Sequence, residues 1–456
     1  MLSRLEFLDT MRRTKSGDGP GKPSSDSEKQ LESPLRIESE NIAITLSKRS
    51  ALTIFAAAVV AGGLVALATV LVMELRHGRP PAATDFGRDR DQIPAVPTRT
   101  NVPPWGELVE YDVEFEKPDE YITVPTGTNL TTRWFVGHSA RREFEQLALS
   151  AGIPAGQVAA LLDTNRCAAV SNGVWLFPGH ELVFRLKPES RQLIYGKLAE
   201  FTENTDYMFP FCYRQDALDR WFKNSGLSSG TVELVGRFLY PRGRAMCFSD
   251  SAELMNRVPA AHERLRLLKT LWRQAGVVVK LRIRPESDID RLMAYWGVGY
   301  HAKDFRPLLE SMARLPDGGN LDIVHLLPPF ARRRLYSYPP PPRNAVEANR
   351  DCHWTSMNFI NEEPDDRFCN REFVIAKLTT DYAQIAQPGR LGDLIFWKDD
   401  EGVAIHSAVY IADDIVFTKN GANYMQPWTL MRIDDLLAAY PREEPMNMVC
   451  YRSKLR

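Results

Sequence analysis

The stretch DCHWTSMNFIN at residues 351–361 sets a cysteine at the opening of what reads as a helix. A cysteine attacks as its thiolate, and a free thiol titrates near ~8.5. The unpaired N–H groups at a helix start favour the thiolate. Cys352 is placed to use them, with Asn349 or Asp351 available as the N-cap. Two further stretches follow in order. RLGDLIFW at residues 390–397 reads as a turn and a strand, and HSAVYIADDIVFTKNG at residues 406–421 reads as a strand that turns near Asp413 into a second one. His406 opens that alternating strand, so its side chain shares a face with Ala408 and Tyr410, neighbours expected to leave room above the ring and to wall one side of a cleft. A histidine brought to the thiol forms a thiolate–imidazolium pair and later protonates a leaving amine. A third polar group then receives the other ring N–H and fixes the tautomer.

These three stretches resemble the NlpC/P60 family of papain-like cysteine peptidases over residues 349–450. In that family a cysteine after an aspartate opens the first helix, a GDLVFF-like turn and strand follows, and the histidine starts a strand of the HVGIYLG type. The resemblance implies Cys352 as nucleophile and His406 as base. Thr418 falls at the column where the family often has histidine. Asn420, two residues on, would face the same way, and its amide oxygen suits an imidazole N–H, so Asn420 is the expected third member ahead of Thr418. Lys419 is expected on the opposite strand face. His353 stands where the family commonly has serine, and is expected to point away from the nucleophile.

Working outward, a second break in the chain is YPPPPR at residues 338–343, where four prolines favour an extended spacer. Far upstream, ALTIFAAAVVAGGLVALATVLVM at residues 51–73 carries no charge and is long enough to cross a hydrocarbon core of ~30 Å. It starts too late and runs too long for a cleaved signal peptide. The expected order is a polar tail at 1–49, a membrane helix at 51–73, a Pro-rich linker at 74–104, a small module at 105–198, an α+β middle domain at 199–338, a proline linker at 339–343 and the cysteine domain at 344–456. The fold class expected is α+β.

Within the small module, FEQLALSAGIPAGQVAALLDTN at residues 144–165 reads as two short helices, and LFPGHELVFRL at residues 176–186 as a Pro-Gly turn followed by a strand at 181–186. This pattern resembles a LysM module, closest to the LysM-like domains of the opacity-associated protein A type. That resemblance implies binding to the glycan of peptidoglycan. The middle domain shows a faint repeat, residues 231–235 against 320–324, each followed by an arginine group at 242–244 and 332–334 that reads as a solvated, ion-paired surface. His325, inside an apolar run, reads as a core histidine.

Composition limits the alternatives. Over 456 residues, 57 Lys and Arg balance 58 Asp and Glu for a net charge of −1, which excludes a chain-wide nucleic-acid binder. With 44% hydrophobic and 25% charged residues the chain is not mostly disordered. Six cysteines are too few for a disulfide scaffold, and no spacing reads as a metal site. Cys167, Cys212, Cys247, Cys369 and Cys450 are expected to be buried thiols or disulfide partners. Neither a cofactor nor a metal is expected.

The expected protein is therefore a single-pass anchor in the cell inner membrane with its C-terminal domains outside the cytoplasm. Its expected partners are the membrane, through 51–73, and peptidoglycan or its stem peptides. Its expected activity is hydrolysis of a peptide or amide bond through a Cys352 thioester. Two alternatives stand beside it: a non-catalytic wall-binding scaffold with a degenerate papain-like domain, and an acyltransferase or amidase on the same fold.

Overall fold

The computed structural model describes residues 104–125, 130–298 and 302–455. The tail, the apolar span at 51–73 and all but the last residue of the linker at 74–104 lie outside the described residues. Among the described residues no helix is long and apolar enough to cross a membrane. The architecture is mixed α+β, built on four small antiparallel sheets.

Ahead of the C-terminal third the strands are β1 (Glu107–Phe115), β2 (Trp134–Gly137), β3 (Ala168–Val170), β4 (Gly173–Leu176), β5 (Phe211–Arg214), β6 (Tyr240–Arg242), β7 (Ala245–Phe248), β8 (Gln274–Ile283) and β9 (Gly319–Asp322). They form three three-stranded sheets, ordered β1-β8-β9, β2-β4-β3 and β5-β7-β6. The C-terminal third supplies β10 (Tyr382–Ile385), β11 (Leu394–Lys398), β12 (Ala404–Ala412), β13 (Ile415–Lys419), β14 (Trp428–Arg432) and β15 (Asn447–Ser453). These make one six-stranded sheet, ordered β10-β15-β11-β12-β13-β14.

The segments on either side of the expected boundaries interlock. β1 pairs with β8 along its whole length, from Glu107 against Arg282 to Phe115 against Gln274. β8 in turn lies against β14. Gly276 permits that approach, because a Cβ there would sit 2.4 Å from the Phe115 ring and 2.9 Å from Thr429 Oγ1. Arg432 of β14 pairs with Glu110 of β1 at 2.6 Å. The proline run is also anchored: Tyr338 donates to Glu116 O at 3.1 Å, and Tyr121 donates to Pro339 O at 3.4 Å. One core spans Trp134 to Ala275 together with Ala438, and a second runs from Leu108 through Trp296 and Trp354 to Leu430. The spacer at 339–343 thus joins packed elements.

Three local expectations are corrected. Residues 181–186 are not a strand: His180–Arg185 is a short helix, and the strand of that region, β4, precedes the Pro-Gly turn. Arg191 holds the end of this helix, donating to the buried carbonyls of Val183 (2.6 Å) and Leu186. The faint repeat does not survive either, since residues 231–235 lie in the helix Ser229–Gly236 whereas residues 320–322 lie in β9. His325 is exposed rather than core. The arginine groups do pair at the surface, Arg244 with Asp434 at 2.9 Å and Arg333 with Glu363 at 3.7 Å.

Arg191 is itself fully buried against Asp250, with Nε to Oδ2 at 3.0 Å, and Tyr195 donates to the other carboxylate oxygen at 2.6 Å. Removing one partner of such a pair strands the other charge and costs about 3–5 kcal/mol. Arg191→Ala is expected to lower the stability measured by denaturant unfolding by about that amount, and the double change Arg191→Met with Asp250→Asn to recover part of it. An Arg191→Ala midpoint equal to that of the parent contradicts this reading of the buried pair.

Candidate active site

The Cys352 helix spans Cys352–Asn358 and is capped by Asp351, whose Oδ1 accepts from Trp354 N at 2.9 Å. Of the two caps open from sequence, Asp351 is the one used. Trp354 anchors the helix: its ring lies under Arg334, and its indole N–H donates to Asp366 Oδ1 at 3.0 Å. Asp366 is held in turn by two hydrogen bonds from Arg350, at 3.0 and 2.9 Å. Ser356 closes the first turn by donating to Cys352 O at 2.9 Å.

This helix packs on β12 and β13. The ladder between those strands runs from Ala412 opposite Ile415 to Val409 opposite Phe417 and extends no further. Beyond it the backbone N–H groups of Ser407 and His353 lie near enough to the Cys352 sulfur to favour its thiolate. The sulfur therefore sits where the two strands part, and Cys352 is 4% exposed. Burial, with Asp351 adding to it, pushes the thiol up to about 12; the two N–H groups and the Lys419 ammonium pull the other way without prevailing. The resting group is a neutral thiol.

His406 does share a face with Ala408 and Tyr410, as strand alternation requires, and that face turns away from the Cys352 helix. Ala408 and Tyr410 pack in a third core with Ile395, Trp397, Val416, Met431 and Leu436, the last from the helix Ile433–Ala438. Among the described residues the ring is fully covered rather than open to a cleft. Trp397 lies at 5.9 Å and Tyr440 at 4.7 Å between ring centroids. Both ring nitrogens are engaged, Nε2 with Thr418 Oγ1 at 2.8 Å and Nδ1 with Tyr440 OH at 2.7 Å. No hydrogen bond joins Cys352 to His406 among the described residues. Burial, and secondarily the charge of His353, holds the His406 pKa well below the ordinary histidine value.

The residue that meets His406 Nε2 is Thr418 and not Asn420. β13 ends at Lys419, so Asn420 leaves the strand, donates to Met431 Sδ at 3.6 Å, and keeps a buried Oδ1 with no partner among the described residues. The other strand face carries a second polar group. His353 Nδ1 meets Ser407 Oγ at 2.9 Å, Ser407 donates to Ser356 Oγ at 3.1 Å, and the His353 ring stacks on Phe396. His353 thus lies over the sheet with a ring nitrogen within 4.8 Å of the Cys352 sulfur, not pointing away from it as expected. Lys419, on the opposite face from Thr418 as alternation requires, is buried and donates to Gly421 O at 2.6 Å and Asn423 O at 3.0 Å. Burial lowers its pKa to about 8 against the pull of Asp351 and Cys352. Asp351, Cys352 and His353 bring their donor atoms within 4.8 Å of one another, but Asp351 is engaged in capping the helix and His353 in bonding Ser407.

Ser407 and Lys419 were open to sequence reasoning through the period-two alternation that also places Val409 opposite His406. Tyr440 was not. It follows the helix after β14, and no local spacing points from it to His406. No family model, curated protein or solved structure matches this chain.

The buried neutral histidine has a consequence for stability. Its folded pKa is depressed, so in the unfolded chain it takes a proton below about 6.5 that the folded chain refuses. Its contribution is present above that pH and is lost as pH falls towards the folded value. Unfolding midpoints measured from pH 7.5 down to 5 are expected to fall more steeply in the parent than in His406→Gln. Parallel curves contradict a buried neutral His406.

Proposed function

We propose that the chain is a cysteine hydrolase of the NlpC/P60 type, anchored in the inner membrane through residues 51–73. Its folded part faces the wall and cleaves a peptide or amide bond in peptidoglycan stem peptides. The observation that carries this reading is the seating of Cys352. It opens a helix capped by Asp351, two nearby backbone N–H groups favour negative charge on its sulfur, and the helix rests on the strand that carries His406. The Thr418 contact to His406 Nε2, at the column expected for the family's third residue, supports it.

In this reading the resting site is closed. Substrate entry parts Tyr440 from His406, and Nδ1 becomes free to accept the Cys352 proton. The thiolate attacks the carbonyl carbon, and the N–H groups of His353 and Ser407 lie close enough to share the developing negative charge. His406 returns the proton to the leaving amine, and Thr418 holds the imidazole orientation. Water, deprotonated by His406, then releases the acyl group from the thioester. The module at 105–198 would hold the chain on the glycan.

A second reading is favoured by one observation: His406 has both nitrogens engaged and Cys352 is almost wholly covered. That arrangement suits a wall-binding scaffold with a degenerate site. Digestion of muropeptides by the full chain separates the two. The hydrolase predicts new peptide or amide products from the parent, and a loss on the order of 10³-fold or more in Cys352→Ala. Equal, negligible product from both removes the hydrolase and leaves the scaffold.

A further inference from the structure

The dithiol at the β5–β7 pair takes no part in the chemistry discussed so far. Cys212 and Cys247 face each other directly across the ladder, between the Phe211–Phe248 and Tyr213–Met246 pairs. Their sulfurs are 3.6 Å apart, although the residues are 35 positions apart in sequence. Directly opposed residues in an antiparallel pair hold their Cα atoms about 4.5 or 5.5 Å apart, and both values fall inside the roughly 4.4–6.8 Å that a disulfide spans. Only side-chain rotation separates the two thiols from bonding distance. Cys212 is half-buried and open to a reagent, whereas Cys247 is fully buried beneath it. Cys167, Cys352, Cys369 and Cys450 have no thiol neighbour among the described residues.

We propose that Cys212 and Cys247 are a disulfide-forming pair, closed by exchange with a small-molecule or protein disulfide. The Cys212 thiolate attacks one sulfur of the oxidant, forming a mixed disulfide and releasing one thiolate of the reagent. The Cys247 thiol loses its proton to solvent and attacks the Cys212 sulfur, forming the Cys212–Cys247 bond and releasing the second thiol. Two protein thiols are oxidised and one external disulfide is reduced. The bond would lock β5 to β7 and, by closing a loop of the chain, restrict the unfolded ensemble. Cys352, without a thiol neighbour, stays reduced, so the same oxidising surroundings leave the candidate nucleophile available.

The test uses the full-length chain and oxidised glutathione, with peptides mapped by mass spectrometry and unreacted thiols alkylated. The parent is expected to give a Cys212–Cys247 linked peptide lighter by two hydrogen atoms, no lasting glutathione adduct, and a higher thermal midpoint than the reduced chain. Cys247→Ser is expected to accumulate the glutathione adduct at Cys212. A parent that retains both thiols, or that keeps a stable adduct on Cys212 with Cys247 free, overturns the proposal. The parent measurement decides the outcome even if the variant fails to fold.

Discussion

The helix that Cys352 opens rests on β12 and β13 where their ladder ends, and the nearby Ser407 and His353 backbone N–H groups favour negative charge on the buried sulfur. That seating decides what surrounds the sulfur: Ser407 and Lys419 lie on one face of the strands, Thr418 and His406 on the other. The Asp351 cap and the Arg350–Asp366–Trp354 chain hold the helix in this register.

The same burial decides the electrostatics. Taking a thiol and an imidazole out of water favours the uncharged form of each, and neither backbone donors nor the Lys419 ammonium reverse that for the sulfur. The two stand as neutral cysteine and neutral histidine, with His406 Nδ1 taken by Tyr440. Under the proposed hydrolase reading, the thiol would become reactive only when Tyr440 yields, so catalysis would depend on substrate entry.

Much of this arrangement was legible in the sequence. Helix start, turn and strand, and histidine strand all form where hydrophobic alternation and cap chemistry place them, since those signals are local. Asn420 shares a face with Thr418 only if the strand continues, and β13 stops one residue short of it. The alternation at 181–186 failed because a six-residue pattern is too short to settle strand against helix, and the partner that holds the helix end, Arg191, comes from the next helix. Tyr440 and the β1–β8 pairing were invisible for the same reason. Both depend on contacts between segments distant in the chain, which no window of neighbouring residues contains.

The resting state of Cys352 is the claim on which the account turns, and the pH dependence of its alkylation by iodoacetamide in the folded chain measures it most directly. The account predicts slow labelling at neutral pH that climbs throughout the alkaline range, without a plateau near the ~8.5 of a free thiol. Fast labelling that saturates near or below pH 7 would reveal a preformed thiolate–imidazolium pair and contradict it.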